Sequence, residues 1–450
     1  MTVETYDLVV IGAGNAGQAA AGALRAAGKT VAIVESYQVG GVCPNRGCTP
    51  KKVLVAAAEA LDTIRRASGH AISVADVKLD WRALIERKRG IVGPLPDAMS
   101  KSLEDRGIVL VRGAAKFVAG GSVEVGDRTL RAPKYVLATG SRPRPLTFEG
   151  AELAGTSDDF LELERQPGSI LFVGAGVIAM EFAHVLARAG SRAIVVARGD
   201  RPLGNFDADA VAALVEYSRT LGIAIKTTTR VVRLARAGDR LVVELDEAGT
   251  RTTVEVDGVI NGSGRIANVD RLGLEHLGIT VRGNTVAVDP ELRCIDNPDV
   301  SLAGDVLADT PQLSPIATKE GRLVGHNLLN PSDTRAIDHR FVPQAVFTIP
   351  TLARVGLTAV EATARGLVFE ARQTDMREWI SSRTYREEAA YAKVLIDSHG
   401  KILGADLLGH GAGDTIHLFA LAIRYGIPAS ELRTVDYAYP TPSNDVKFLF

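Results

Sequence analysis

Cysteine is scarce. A chain of 450 residues has three, Cys43, Cys48 and Cys294. So few cannot build a disulfide framework. A structural zinc site is disfavoured too, because it needs about four Cys or His ligands and the eight histidines are scattered. Charge of one sign is also missing. Lysine plus arginine (52) balance aspartate plus glutamate (53), with no basic run or acidic tail, which removes the electrostatic case for nucleic acid. No apolar run is long enough to span a bilayer. The opening Met1-Thr2-Val3-Glu4-Thr5 lacks the basic-then-apolar order of a signal peptide, so a cytoplasmic protein is expected. Low-complexity segments and short tandem repeats are absent. What remains is ordinary globular composition, 46 % apolar and 23 % charged, in a chain long enough for two or three domains.

The most informative stretch begins near the start. Leu8-Val9-Val10-Ile11 has the pattern of a buried parallel strand. Gly12-Ala13-Gly14-Asn15-Ala16-Gly17 is a glycine turn, Ala19 to Ala27 a helix ended by Gly28, and Val31 to Val34 a second strand closed by Glu35. The first glycine of such a turn permits the tight reversal, and the second lets backbone approach a pyrophosphate. The helix N-terminus then offers unpaired N–H groups to the phosphates. Glu35, 18 residues beyond Gly17, stands where an acid accepts from a ribose hydroxyl.

A second unit repeats the pattern. Ile170-Leu171-Phe172-Val173 leads into Gly174-Ala175-Gly176-Val177-Ile178-Ala179, with Ala179 in the third glycine position. A helix runs through Glu181 to Arg188, Gly190 ends it, and Ala193 to Ala197 is the next strand. Two such units imply two nucleotide-binding domains. The second has Ala197-Arg198 where the first has its acid. An inward-pointing Arg198 would attract the 2′-phosphate of NADP, and a charge-assisted hydrogen bond of roughly 1.5–3 kcal/mol gives about ten- to a hundredfold preference. The alternative is a solvated surface arginine. Further strand–turn elements occur at Tyr135 to Gly140 and Val300 to Asp305, and a helix is expected over Ile316 to Leu329. Beyond about 339 the texture changes to strands such as Tyr391 to Asp397 and a long helix, Gly413 to Tyr425.

Between the two units lies Cys43-Pro44-Asn45-Arg46-Gly47-Cys48, preceded by Gly40-Gly41. Thr49-Pro50 is expected to open a helix with proline at its first position. A thiol at a helix N-terminus, or near Lys51 and Lys52, has a lowered pKa and is reactive. In a reducing compartment two cysteines this close suit catalysis better than a structural role or a metal. Cys294 has no partner and reads as a small core residue.

With these residues in place, the chain resembles the class I pyridine nucleotide–disulfide oxidoreductases, the family of glutathione reductase, dihydrolipoamide dehydrogenase and mercuric reductase. The resemblance covers essentially the whole chain. It rests on Gly40-Gly41-Val42-Cys43 through Lys52, on Ala138-Thr139-Gly140, on Ala303-Gly304-Asp305, on Gly262-Ser263-Gly264-Arg265, and on Ser398 to Tyr425, similar to the family's dimerisation domain. The resemblance implies an α/β fold with two Rossmann-like dinucleotide-binding domains and a C-terminal α+β dimerisation domain. The FAD domain would comprise residues 1-147 and 266-338, the NAD(P) domain 148-265 and the interface domain 339-450. It implies FAD as cofactor, NADP with NAD as the alternative, a homodimer, and a small-molecule or protein electron acceptor. Cys43 would be the interchange thiol and Cys48 the charge-transfer thiol against the flavin. Lys51 would pair with Glu181, Asp305 would hold the ribityl chain, and the helix starting near Pro315 would point its positive end at the flavin. Gly12, Gly14, Gly17, Glu35, Gly41, Lys52, Ala138, Thr139, Gly140, Gly304 and Asp305 would line the FAD site. Gly174, Gly176, Ala179, Arg198, Gly264 and Arg265 would complete the nucleotide contacts.

The chain departs from the family's pattern in specific places. Where the family usually reads H-P-T-x-x-E, this chain has Tyr439-Pro440-Thr441-Pro442-Ser443-Asn444. A phenol with pKa near 10 can donate a proton but is a poor base at neutral pH. Tyr439 is therefore expected as proton donor, with Asp445 a substitute one place off the pattern, and Tyr437 stands at another position that is often histidine. Val177 replaces the tyrosine lid of many relatives. Mercuric reductases add a C-terminal cysteine pair, which Lys447-Phe448-Leu449-Phe450 does not contain. Two acceptor classes stay open: a disulfide, favoured by the two cysteines, and a quinone, metal ion or other oxidised small molecule, favoured by the loss of the base. A dihydrolipoamide dehydrogenase-like subunit is a third reading, opposed by Arg198 and the missing dyad.

Overall fold

A computed structural model describes residues 3–308 and 310–450. Contacts divide the chain into two compact units, one of residues 1–52, 86–144 and 265–339, the other of 53–85, 145–264 and 340–450.

The first unit is built on a five-stranded parallel sheet. Its strands, in spatial order, are Val300–Leu302, Tyr135–Leu137, Leu8–Ile11, Val31–Glu35 and Val109–Arg112. Leu8–Ile11 is buried throughout, as expected of an apolar run covered on both faces. The glycine turn then feeds the helix Asn15–Ala26, which packs against Ser314–Leu329. That crossing is very close. A Cβ on Gly321 would lie 2.1 Å from the Ala16 carbonyl oxygen, and one on Gly325 would lie 2.6 Å from Ala23 Cβ. A smaller sheet of Val3–Thr5, Arg128–Arg131, Ser122–Val125 and Lys116–Val118 adjoins in sequence. The chain leaves the unit after Ser141–Pro143 and returns through Arg265–Ala267. These two short strands pair antiparallel, so the insertion begins and ends at one doorway.

The second unit repeats the parallel motif with Ala224–Lys226, Arg192–Val196, Ser169–Val173 and Gly258–Asn261, and adds the antiparallel strands Thr229–Ala237, Arg240–Glu247 and Thr250–Val256. Its other sheet is antiparallel and five-stranded: Gln344–Val346, Thr351–Gly356, Ile402–Gly409, Tyr391–Asp397 and Phe369–Asp375, packed by the helix Ala412–Tyr425. Buried charge joins the two sheets' elements. Lys393 Nζ donates to Asp207 at 2.9 Å and to Asp209 at 2.7 Å, and the burial of Asp406 beside them pushes its carboxyl up to about 7.

A polar face of the helix Val177–Ala189 holds one short segment of backbone. Glu181 Oε1 accepts from Phe347 N at 2.9 Å. His184 Nδ1 accepts from Ile349 N at 3.2 Å, and Arg188 Nη2 donates to Ile349 O at 2.6 Å. The hydroxyl of Ser218 donates to Leu214 O, so His184 donates from Nε2 to Ser218 and is a neutral imidazole. Burial, then the Arg188 charge, pulls its pKa well below the usual value. Arg188 is fully buried and paired with Asp62, which also accepts from Arg66, and Arg66 in turn pairs with Glu387.

Residues 53–85 go with the second unit, because Val53, Leu54, Trp81 and Ile85 lie in the same apolar cluster as Phe160, Phe172 and Phe182. The C-terminal sheet is tied to the insertion by the Asp207–Lys393 and Arg188–Ile349 contacts. Among the described residues, no helix is long and apolar enough to cross a membrane.

Candidate active site

The two glycine turns have the same build. Gly12 has φ +108° and Gly174 φ +107°, a region open to glycine but costly for other residues. A Cβ would also collide with backbone, the Ala138 oxygen at 2.2 Å in the first turn and the Gly262 oxygen at 2.3 Å in the second. At the second glycine the situation reverses. A Cβ on Gly14 meets nothing closer than 3.9 Å, and the same holds for Gly176. Space is therefore kept just before the helices Asn15–Ala26 and Val177–Ala189, whose first turns have no side-chain cap and no acidic residue. Gly17 and Ala179 serve packing. A Cβ on Gly17 would lie 2.0 Å from Gly12 O, whereas Ala179 is buried against Gly262. Glu35 is aimed back at the first turn: Oε2 accepts from Ala13 N and Oε1 from Tyr37 N, each at 2.8 Å. Both oxygens keep a lone pair for ribose hydroxyls.

The cysteine segment docks on this turn through backbone. Gly40 N donates to Ala13 O at 2.8 Å, and Gly41, φ +69°, brings its backbone against Gly14. Asn45 Nδ2 braces the loop by donating to Val39 O and Gly41 O. Cys43 lies on a single helical turn, Val42–Arg46. The longer helix Cys48–Arg66 begins after Gly47. This corrects the expected start at Thr49-Pro50. Proline falls in the first turn but not at its first position, and Cys48 itself is the first helical residue.

Cys43 and Cys48 are free thiols, the first half-buried and the second exposed. Cys48 donates its S–H to Cys43, and that bond is the main cause holding Cys43 down at about 6. Ser314 and Asn15 add hydrogen bonds to the same sulfur. The Cys48 thiol is pushed up, chiefly by that same bond and then by burial and the neighbouring negative sulfur, although the Lys51 charge opposes the rise. The pair gives up one proton near neutrality and the charge rests on Cys43. Asn15 and Ser314, which also hydrogen-bond each other, were not singled out from sequence. The serine directly before Pro315 was the available signal.

Alkylation of the reduced protein checks this arrangement. Iodoacetamide should label Cys43 before Cys48, with a rate rising through pH 6, because thiolate forms as pH passes the pKa. A midpoint above pH 8, the range of an unperturbed thiol, would mean that Cys48 does not donate to Cys43 in solution.

The remaining expected residues of the first unit gather at the ends of the strands Tyr135–Leu137 and Val300–Leu302. Ala138-Thr139-Gly140 is tied down by Asn268, which donates to Thr139 O at 3.0 Å and whose carbonyl accepts from Thr139 Oγ1 at 2.7 Å. Asp305 is half-buried, and burial raises its carboxyl despite the nearby Arg265 charge. Arg265 donates to Ser141 Oγ at 2.8 Å and to Ser141 O at 2.5 Å. Lys52 is exposed. In the second unit Glu181 is buried on Phe347 N, Gly264 has φ +110°, Arg198 is exposed just past the strand Arg192–Val196, and Val177 is 40 % exposed. Cys294 is a buried core residue.

Tyr439 is 71 % exposed. Asp445 is the expected substitute. It is buried, accepts from Ser381 Oγ, and its carboxyl is raised by burial. Tyr437 donates to Leu432 O at 3.0 Å. Sequence reasoning also missed the buried Glu320 and its half-buried partner His339, directly behind Gly304.

Residues 6–321 match the family described as pyridine nucleotide-disulphide oxidoreductase, and 342–448 match its dimerisation domain. The chain is 32 % identical to mercuric reductase of Streptomyces lividans, covering 98 % of this chain and 95 % of the relative. It is 31 % identical to glutathione reductase of Nostoc sp., covering 98 % of each. With mycothione reductase of Mycobacterium tuberculosis the identity is 32 %, over 97 % of this chain and 96 % of the relative.

Proposed function

The chain belongs to the pyridine nucleotide-disulphide oxidoreductase family, an FAD- and NAD(P)H-using group of oxidoreductases, and on that premise we propose that it reduces a disulfide acceptor through Cys43 and Cys48. The balance is NAD(P)H plus a proton and a disulfide giving NAD(P)⁺ and two thiols. The observation that carries this reading is the hydrogen-bonded Cys43–Cys48 pair backed directly onto the glycine turn by the Gly14–Gly41 contact.

FAD, when bound, supplies the two-electron link between the nicotinamide and the cysteines. The chain's own residues do the rest. Gly14 leaves the space that a pyrophosphate needs, and Glu35 offers acceptors for ribose hydroxyls. Asp305 and the Ala138–Gly140 turn serve the ribityl side of the same site. Cys43, ionised near neutrality, attacks the acceptor disulfide. That attack releases the acceptor's other sulfur as the first product thiolate and leaves a mixed disulfide on Cys43; Cys48 then attacks the Cys43 sulfur, closing the Cys43–Cys48 disulfide and expelling the second product sulfur, which takes up the proton Cys48 gives up. Lys51 favours negative charge at Cys48, and Glu181 serves beside it on the nicotinamide side. Tyr439, on a dimerisation-domain segment, donates a proton to the leaving thiol across a homodimer.

NADPH is the preferred donor. Arg198 sits exposed past the strand end, where a 2′-phosphate would arrive. Arg198→Ala should raise the apparent KM for NADPH by about ten- to a hundredfold and leave that for NADH nearly unchanged. Equal effects on both would remove the assignment. Anaerobic titration of the yellow protein with each nucleotide tests the dithiol relay. Long-wavelength absorbance after two electrons supports it, and plain bleaching counts against it.

A second reading, reduction of a quinone, metal ion or other non-disulfide acceptor, is favoured by one observation. Tyr439 replaces the family's histidine, and the neighbouring Asp445 is engaged by Ser381. A disulfide-independent turnover that survives loss of Cys43 would select it.

A further inference from the structure

Behind the Gly304–Asp305 turn lies a carboxylate that none of the roles above uses. Glu320, two turns into the helix Ser314–Leu329, has no exposed surface. Its Oε2 accepts from Gly304 N at 2.8 Å, and its Oε1 lies 2.8 Å from His339 Nε2. Gly304 has φ +83°, and a Cβ there would lie 3.0 Å from Ala16 Cβ. The turn therefore has little room except where the Glu320 bond draws it. Burying a carboxyl with no role is expensive, and a buried polar group is normally present to satisfy another.

We propose that Glu320, braced by His339, is a positioning residue that holds the Gly304–Asp305 turn in the shape that grips the flavin's ribityl chain. This rests on the proposed role of Asp305. The charged groups around the pair are few. Asp305 and Lys319 face Glu320, Lys319 and Asp338 face His339, and Arg265 faces Asp305. Lys319 donates to Asp338 O. Burial pushes Glu320 up to about 7 and pulls His339 down, so both partners favour their neutral forms. Raising pH through 7 places a negative charge beside Asp305, close to a site for an anionic cofactor. A negative cofactor disfavours the ionised carboxylate, so FAD is held most tightly while Glu320 is neutral and is released more readily as pH rises through about 7.

The test uses the holoenzyme and reads FAD release by flavin fluorescence between pH 6 and 8. In the unmodified protein the dissociation constant should rise roughly tenfold over that range, the equivalent of one pKa unit. Glu320→Gln, which keeps the acceptor for Gly304 N but cannot ionise, should hold FAD at pH 6 and flatten the profile. Glu320→Ala should weaken FAD roughly tenfold or more at every pH. His339→Phe should weaken it less and shift the profile. An unchanged profile in Glu320→Gln overturns the proposal even if Glu320→Ala fails to fold. Asp305→Ala checks the premise separately. If it loses FAD while the Glu320 variants do not, only the positioning role fails. If it keeps FAD as the unmodified protein does, the premise goes, and the proposal with it.

Discussion

Serine at position 43 is expected to lower turnover with a disulfide acceptor by roughly 10³-fold or more, the scale seen when a nucleophile is removed. Bound FAD and its reduction by NADPH should be retained. The hydroxyl matches the thiol in shape and can still accept from Cys48, so the loop should stay on the glycine turn through the Gly40–Ala13 bond and the Asn45 braces. What is lost is an atom that ionises near neutrality and forms a bond to sulfur. Stopped-flow reduction of the flavin and steady-state turnover, measured on the same preparation, separate the two effects. The companion Cys48→Ser leaves the attacking sulfur and removes the one that resolves it. Treated with acceptor, it should accumulate one mixed disulfide per subunit at Cys43, visible as added mass. Full activity in Cys43→Ser would move the chemistry to a non-disulfide acceptor. Loss of FAD would mean that the cysteine segment is chiefly structural.

Asp62→Ala should be the most destabilising single polar change in the second unit, by about 3–5 kcal/mol, because removing one partner of a buried ion pair strands the other. Asp62 is buried between Arg188, which has no exposed surface, and Arg66. Arg66 has Glu387 as a second partner, but Arg188 would keep only uncharged acceptors, Ile349 O and Tyr217 Oη among them. At about 2–4 °C per kcal/mol for a body of this size, the melting temperature should fall by roughly 6–20 °C. A double change, Asp62→Leu with Arg188→Met, should recover most of the loss, since replacing both charges by apolar groups is often neutral or stabilising. A single-variant shift below about 1 °C would mean that water reaches Arg188 in solution.

The features legible in the sequence are those whose cause is local. Gly12 and Gly174 could be assigned because the backbone turn itself demands glycine, and Leu8–Ile11 because a fully covered strand needs no alternation. Cys43 and Cys48 announced themselves by spacing. What stayed hidden is held by long-range contact. Asn15 meets Ser314 across 299 residues, Asp62 meets Arg188 across 126, and Glu320 gains its meaning only when a turn and a histidine from other segments close around it. Residues 53–85 are a case of the same kind. Helix continuity from Cys48 to Arg66 argues for one body, but Val53, Leu54 and Trp81 find their apolar neighbours in another. Thr49-Pro50 predicts a helix with proline at its first position, whereas the break at Gly47, with φ −140° and ψ −109°, puts the first turn at Cys48.

The proton lost from Cys43 also has a consequence for reduction potential. Anything that stabilises the dithiol relative to the disulfide raises the potential of the couple. Here Cys48, Ser314 and Asn15 all stabilise the ionised dithiol and have no such charge to solvate once the sulfurs are joined. The couple is thereby easier to charge with electrons and correspondingly less forceful in passing them on. Its acceptors should be found among the more oxidising disulfides and electrophiles of the compartment it works in, where a mild reductant suffices and selectivity comes from the acceptor's own hunger for electrons.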